Sequence, residues 1–199
     1  MPSFESVILA FQFIVTAKSL SILLPYARLI LTMTSKPPSP WTMWPECHDQ
    51  LMAELENVDL RYQFQPRDRQ NFTRFYETYI MGKFECETTN CSSKGWSSKK
   101  VFIVIRQYPS NKYNAKVYTQ RCLGCKKRGR ITIDTGSYVD RVAYRLKKWN
   151  GIESDTMHIS FQRTNGPHVQ ELCEGCRAGR CEAGGVPSIE LTMASLSIA

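Results

Sequence analysis

Seven cysteines crowd into the stretch from Cys86 to Cys181, and their spacing constrains the chain more than any other feature. They form three groups: Cys86 and Cys91 (CETTNC), Cys122 and Cys125 (CLGC), and Cys173, Cys176 and Cys181 (CEGCRAGRC). His168 precedes the third group by five residues. A two-residue spacer turns both sulfurs of a pair into one tight bend, which is the geometry a tetrahedral Zn2+ requires. A lone CxxC is also a redox motif. Two strict pairs, a wider third pair and two further N/S donors in about a hundred residues point to metal instead. The eight donors are enough for two closed four-ligand sites, so two Zn2+ ions are the implied cofactor.

The metal reading changes the charge. The formal value of +8 counts every cysteine as neutral; seven thiolates holding two divalent ions lower it by three, to roughly +5. Many cations flank the proposed ligands: Lys94, Lys99 and Lys100, then Lys126, Lys127, Arg128 and Arg130, then Arg177 and Arg180. Their simplest role is to offset the negative charge of zinc–thiolate centres. A hydrophobic share of 42% and a charged share of 22% are ordinary for a globular protein and exclude wholesale disorder.

Four segments are expected: an apolar extension (1–33), a Pro/Ser-rich linker (34–40), a domain of residues 41–183 and a tail (184–199). Val7 to Met33 is mostly apolar but is interrupted by Gln12, Lys18, Pro25 and Arg28, and no cation precedes it. It fits neither a clean signal peptide nor a clean membrane span. Three readings stand: a poor signal anchor or interfacial helix giving membrane contact through residues 7–33, a buried or floppy appendage, or an upstream extension outside the functional unit with translation starting at Met33. The repeated CxxC spacing favours metal over disulfides, hence the cytoplasm or the cytoplasmic face of a membrane.

An α+β fold is expected: an antiparallel, zinc-ribbon-like sheet with knuckles, one long amphipathic helix and a short N-terminal helix. Residues 45–57 read as the short helix, with Cys47 and His48 in its first turn as structural residues. Leu60 to Phe64 reads as a strand, and the basic, aromatic stretch QPRDRQNFTRFYETY as a helix or loop packing one aromatic face, or as a surface for stacking nucleobases. Tyr79 to Phe84 extends into the first knuckle. The run Val101 to Ile105 predicts a strand buried on both faces, with a turn at Pro109 to Asn111 and a return strand from Tyr113 to Arg121. That hairpin brings Cys122 back beside Cys91 and assigns site one to Cys86, Cys91, Cys122 and Cys125. Val139, Val142, Ala143, Leu146 and Trp149 form one helical stripe, with Ser137 as N-cap, Asn150-Gly151 as stop, and Arg141, Arg145, Lys147 and Lys148 on an outer, basic face. Met157, Ile159 and Phe161 alternate as a strand. Site two is then His168, Cys173, Cys176 and Cys181. Two alternatives remain: His168 as a surface residue, and Cys122 and Cys125 paired with Cys173 and Cys176.

From WTMWPECHDQL at Trp41, through Gly82 to Cys86, Gly95 to Lys99, Gln120 to Cys125, the helix YVDRVAYRLKKWNG, and Pro167 to Cys181, the chain resembles the three-CxxC zinc-binding domain. That family includes the vertebrate receptor-transporting proteins and many fungal proteins, and the chain is most similar to the fungal kind. The resemblance implies zinc binding and, from the animal relatives, a role with membrane receptors. Two departures are evident: the first pair has four residues between its cysteines, and residues 1–33 have no counterpart in the family.

Catalysis is not expected. A hydrolytic zinc site needs an open coordination position and a general base, and the chain has no HExxH. The deaminase HxE is also missing, because Gln170 stands where Glu is required. No small-molecule substrate is expected. Two functions remain: a module that binds other proteins, membrane receptors among them, as an adaptor or trafficking helper; or a nucleic-acid-binding ribbon using Arg121, Lys126, Lys127, Arg128, Arg130 and the basic helix face.

Overall fold

The computed structural model describes residues 38–153 and 168–181. The expected extension, most of the linker, the strand at Met157 to Phe161 and the tail after Ala183 lie outside these residues. The described residues all belong to one unit, Pro38–Ala199.

The fold is a mixture of helices and a curled, largely antiparallel sheet. Two long strands, β3 (Arg74–Glu85) and β4 (Gly95–Tyr108), form its spine. β4 turns at Pro109 to Asn111, where Ser110 and Asn111 both take positive φ, and returns as β5 (Lys112–Tyr118). Two short strands, β1 (Trp41–Thr42) and β2 (Gln63–Phe64), pair with β5, while β6 (Arg130–Ile133) pairs with β3. The order is β1-β5-β4-β3-β6, with β2 also on β5.

Two expectations about strands are corrected. Arg74 to Tyr76 are strand rather than helix or loop. The reason is that β3 is covered on both faces, so Tyr76 and Ile80 enter one core while Phe75 and Tyr79 pack on the other side. The strand expected from Leu60 shrinks to Gln63–Phe64, held by Gln63 N–H to Asn111 O and Gln65 N–H to Tyr113 O.

The run Val101 to Ile105 is buried on both faces, as its composition predicts, because alternate residues serve different layers. Val101, Ile103 and Ile105 meet the helices α1 (His48–Glu56) and α2 (Thr135–Trp149) through Leu51, Leu55, Val142 and Leu146. Phe102 and Val104 face the opposite way, against Tyr118, Cys173 and Cys181. The cap of α2 is Asp134, not Ser137: the Asp134 carboxylate accepts from Ser137 N–H at 2.8 Å, while Ser137 Oγ bonds Asp134 O and accepts from Met81 N–H. Ser137 thus lies inside the helix and ties it to β3.

The outer face of α2 is also less basic than its sequence implies. Arg145 and Lys147 are buried, Arg145 over the Tyr76 ring and Lys147 on Glu54 at 2.9 Å. Cys47 lies in the core, where burial raises its thiol pKa, and His48 stacks on Tyr113 with Nδ1 3.2 Å from its hydroxyl. Both are structural, as expected. Among the described residues, no helix is long and apolar enough to cross a membrane.

Candidate metal centres

Site one forms where three chain ends meet. β3 runs into Cys86, whose N–H bonds Lys94 O at 2.9 Å, and the intervening loop turns back through Cys91 N–H to Thr88 O. The β4–β5 hairpin returns the chain to Cys122. There Cys122 N–H bonds Lys127 O and Lys126 N–H bonds Cys122 O, both at 2.9 Å, closing the CLGC knuckle with Lys126 at φ +60°. Gly124 keeps this knuckle close to its partner: a Cβ there would crowd Cys91 Sγ at 3.1 Å. Cys86 Sγ lies 3.6 Å from Cys125 Sγ, and Cys91 Sγ 3.6 Å from Cys122 Sγ.

Site two is assembled on the face of the sheet opposite α1 and α2. A 3-10 turn, Gln170–Leu172, leads to Cys173, which opens the one-turn helix α3 (Glu174–Arg177) carrying Cys176. The chain then turns through Gly179 and brings Cys181 back, with its N–H on Gly175 O. His168 Nε2 stands 3.1 Å from Cys176 Sγ and 3.5 Å from Cys181 Sγ. Gly175 presses on the sheet: a Cβ would meet Phe102 Cδ1 at 2.4 Å.

In each set the four donor atoms lie within 4.8 Å of one another. A tetrahedral zinc with Zn–S near 2.3 Å has S–S edges of about 3.8 Å, so these separations fit an ion at the centre. They are far too long for disulfides, which need about 2.05 Å, and every described cysteine is free. The structure therefore brings together the two expected sets and not the alternative one: Cys122 and Cys125 converge with Cys86 and Cys91, and His168 joins Cys173, Cys176 and Cys181.

The electrostatics of the donor sets suit a divalent cation. Within each set, some thiols are pulled down in pKa and their neighbours pushed up. The Cys125 N–H leads in lowering Cys122 to about 6, whereas Cys91 rises to about 11 because burial and its three cysteine neighbours outweigh the pull of Ser93 N–H. Hydrogen bonding from Cys181 leads in lowering Cys173 to about 4, while Cys181 itself is pushed up, first by Cys173 and then by burial. Crowded sulfurs, four in the first set and three in the second, cannot all carry charge unaided; a Zn2+ ion would supply the positive charge that lets them.

Several supporting residues gave no signal in the sequence. Tyr79 Oη lies 3.3 Å from Cys181 Sγ, and Thr88 Oγ1 lies 3.5 Å from Cys125 Sγ. Buried Glu174 takes ion pairs from Arg121 and Arg128, the latter at 3.2 Å, and so ties the arms of the CLGC knuckle to α3. Arg130 pairs with Glu87, and Arg180 lies 3.8 Å from Glu77. Arg128, Arg130 and Arg180, among the cations flanking the ligands, therefore answer specific carboxylates.

The family model of the 3CxxC zinc ribbon, a zinc-binding domain, matches residues 79–179, half of the chain. The chain belongs to this family. The match begins at Tyr79 on β3 and takes in every donor of this zinc ribbon except Cys181, two residues beyond its end. The chain matches no curated protein and no solved structure. Zinc is the cofactor of the domain, and the two donor sets fit two ions.

Proposed function

We infer that the chain is a zinc-stabilised, non-catalytic module that binds other proteins, with residues 41–183 as its folded domain. In this reading Cys86, Cys91, Cys122 and Cys125 hold one Zn2+, and His168, Cys173, Cys176 and Cys181 hold the other. The observation that carries it is the completeness of both donor sets. Four protein ligands around each ion leave no coordination position for water or substrate, which is the mark of a structural site. Free thiols arranged as cages suit a reducing compartment and therefore a cytoplasmic location. The family resemblance extends the reading to an adaptor or trafficking role for membrane proteins.

Nucleic acid is the competing partner. The cations it would need are partly committed elsewhere: Arg121, Arg128 and Arg130 to carboxylates, and Arg145 and Lys147 to the interior. Lys126, Lys127 and Lys148 remain exposed. The test is binding of the zinc-loaded chain to single-stranded RNA and duplex DNA from 50 to 200 mM salt. The protein-binding reading predicts no saturable binding even at low salt. Affinity falling on the order of a thousandfold across that range, the signature of about six phosphate contacts, would overturn it.

A further inference from the structure

A cavity of about 490 Å3 opens between the two donor sets, and its floor is an uncovered edge of β4. β5 pairs with β4 only from Tyr108 to Ile103, after which the chain leaves for the CLGC knuckle. Among the described residues, the first part of β4 therefore pairs with no strand other than β3. The Cys86 N–H to Lys94 O bond fixes which residues bond across that pair, and alternation along the strand directs the N–H and C=O of Ser97 away from β3, toward the cavity. At the upper end of this edge Gln120 Nε2 donates to Lys100 O, a side chain occupying the place of a strand.

The walls add two kinds of chemistry. Leu123, in the CLGC knuckle, and Val169, just after His168, both line the cavity. They are also the large hydrophobic residues left exposed among the described ones, at 69% and 48%. The charged residues lining it are Lys99, Lys100 and Arg121; Arg121 is already paired with Glu174, and Lys99 is exposed.

Resting on the protein-binding reading above, we propose that this cleft takes an extended, acidic peptide segment of a partner protein. The segment adds as a strand beside Ser97, sets alternate apolar side chains against Leu123 and Val169, and places a carboxylate near Lys99. Main-chain hydrogen bonds supply affinity in strand addition, while side-chain pockets and charges select the sequence. Because the two walls belong to the two donor sets, the cleft exists only when both are closed.

The test is selection of random twelve-residue displayed peptides on the immobilised, zinc-loaded full chain. Selected peptides should alternate apolar and acidic residues, and a synthetic peptide alternating valine and glutamate should bind. L123D and V169D should each weaken that peptide at least tenfold with zinc content unchanged. K99E, remote from the metal ligands, should shift selection toward basic peptides, so the proposal remains testable if either aspartate variant fails to fold. Peptide binding that is insensitive to all three substitutions overturns the cleft but leaves a protein-binding module standing. No peptide enrichment together with salt-sensitive RNA binding overturns both.

Discussion

The two donor sets use the same ligand chemistry for different structural purposes. Cys86, Cys91, Cys122 and Cys125 sit where the end of β3, the β3–β4 loop and the turn between β5 and β6 converge, so a metal there clasps chain ends. His168, Cys173, Cys176 and Cys181 lie flat on the sheet, with Cys173 and Cys181 inside an apolar cluster with Phe102, Val104 and Tyr118. A metal there does the work of a third layer, fixing the short helix α3 and its loops over a face that, among the described residues, neither α1 nor α2 packs against. The first set limits where strands can go; the second stands in for a core. Glu174 and the Gln120 to Cys173 bridge join the two, so they are not independent.

The comparison is broken most severely by removing both ions. Each structural zinc is worth roughly 10 to 16 kcal/mol in apparent binding free energy, as much as the net stability of a whole domain. Chelation should therefore abolish the cooperative unfolding transition followed by circular dichroism, and a transition unchanged by chelator would refute this. Next come substitutions of one set at a time. C122S should lower bound zinc by about one and fray the knuckles, leaving the second face covered. C173S should also lower zinc by about one, but should in addition expose Phe102 and Val104 and produce strong binding of a hydrophobic dye. Equal dye binding by the two variants would erase the distinction drawn between clasp and core.

Smaller changes sharpen the same contrast. E174Q removes the carboxylate that Arg121 and Arg128 share across the junction, and should cost about 2 kcal/mol in urea unfolding of the zinc-loaded protein. Both arginines are partly exposed, which holds the cost below that of a fully buried pair. Y79F removes one hydrogen bond to Cys181 and should cost about 1 kcal/mol, with zinc exchange faster at the second set only. Faster exchange at both sets would mean that Tyr79 acts on the sheet rather than on the cage.

Much of this architecture was legible because ligand spacing and hairpin length are local quantities. The return of Cys122 to Cys91 follows from two strands of similar length, and the stripe from Val139 to Trp149 from helical periodicity. What stayed hidden depends on distant partners. Arg74 to Tyr76 show no alternation because both faces of β3 are covered, one by the helices and the other by the second donor set. Arg145 and Lys147 read as solvent-facing because Tyr76 and Glu54, which bury them, lie far away in sequence. Asp134 and Ser137 satisfy the same capping pattern in sequence; only the fold shows the Ser137 hydroxyl turned toward Met81 and the Asp134 carboxylate on the Ser137 N–H. The uncovered edge of β4 leaves no mark in composition at all.

The central claim is that two closed cages hold this chain together, and metal content combined with zinc-edge X-ray absorption tests it most directly. The account predicts two zinc ions per chain and an average ligand shell of seven sulfurs and one nitrogen shared over the two ions. One zinc or fewer per chain, or a shell rich in oxygen, would contradict it.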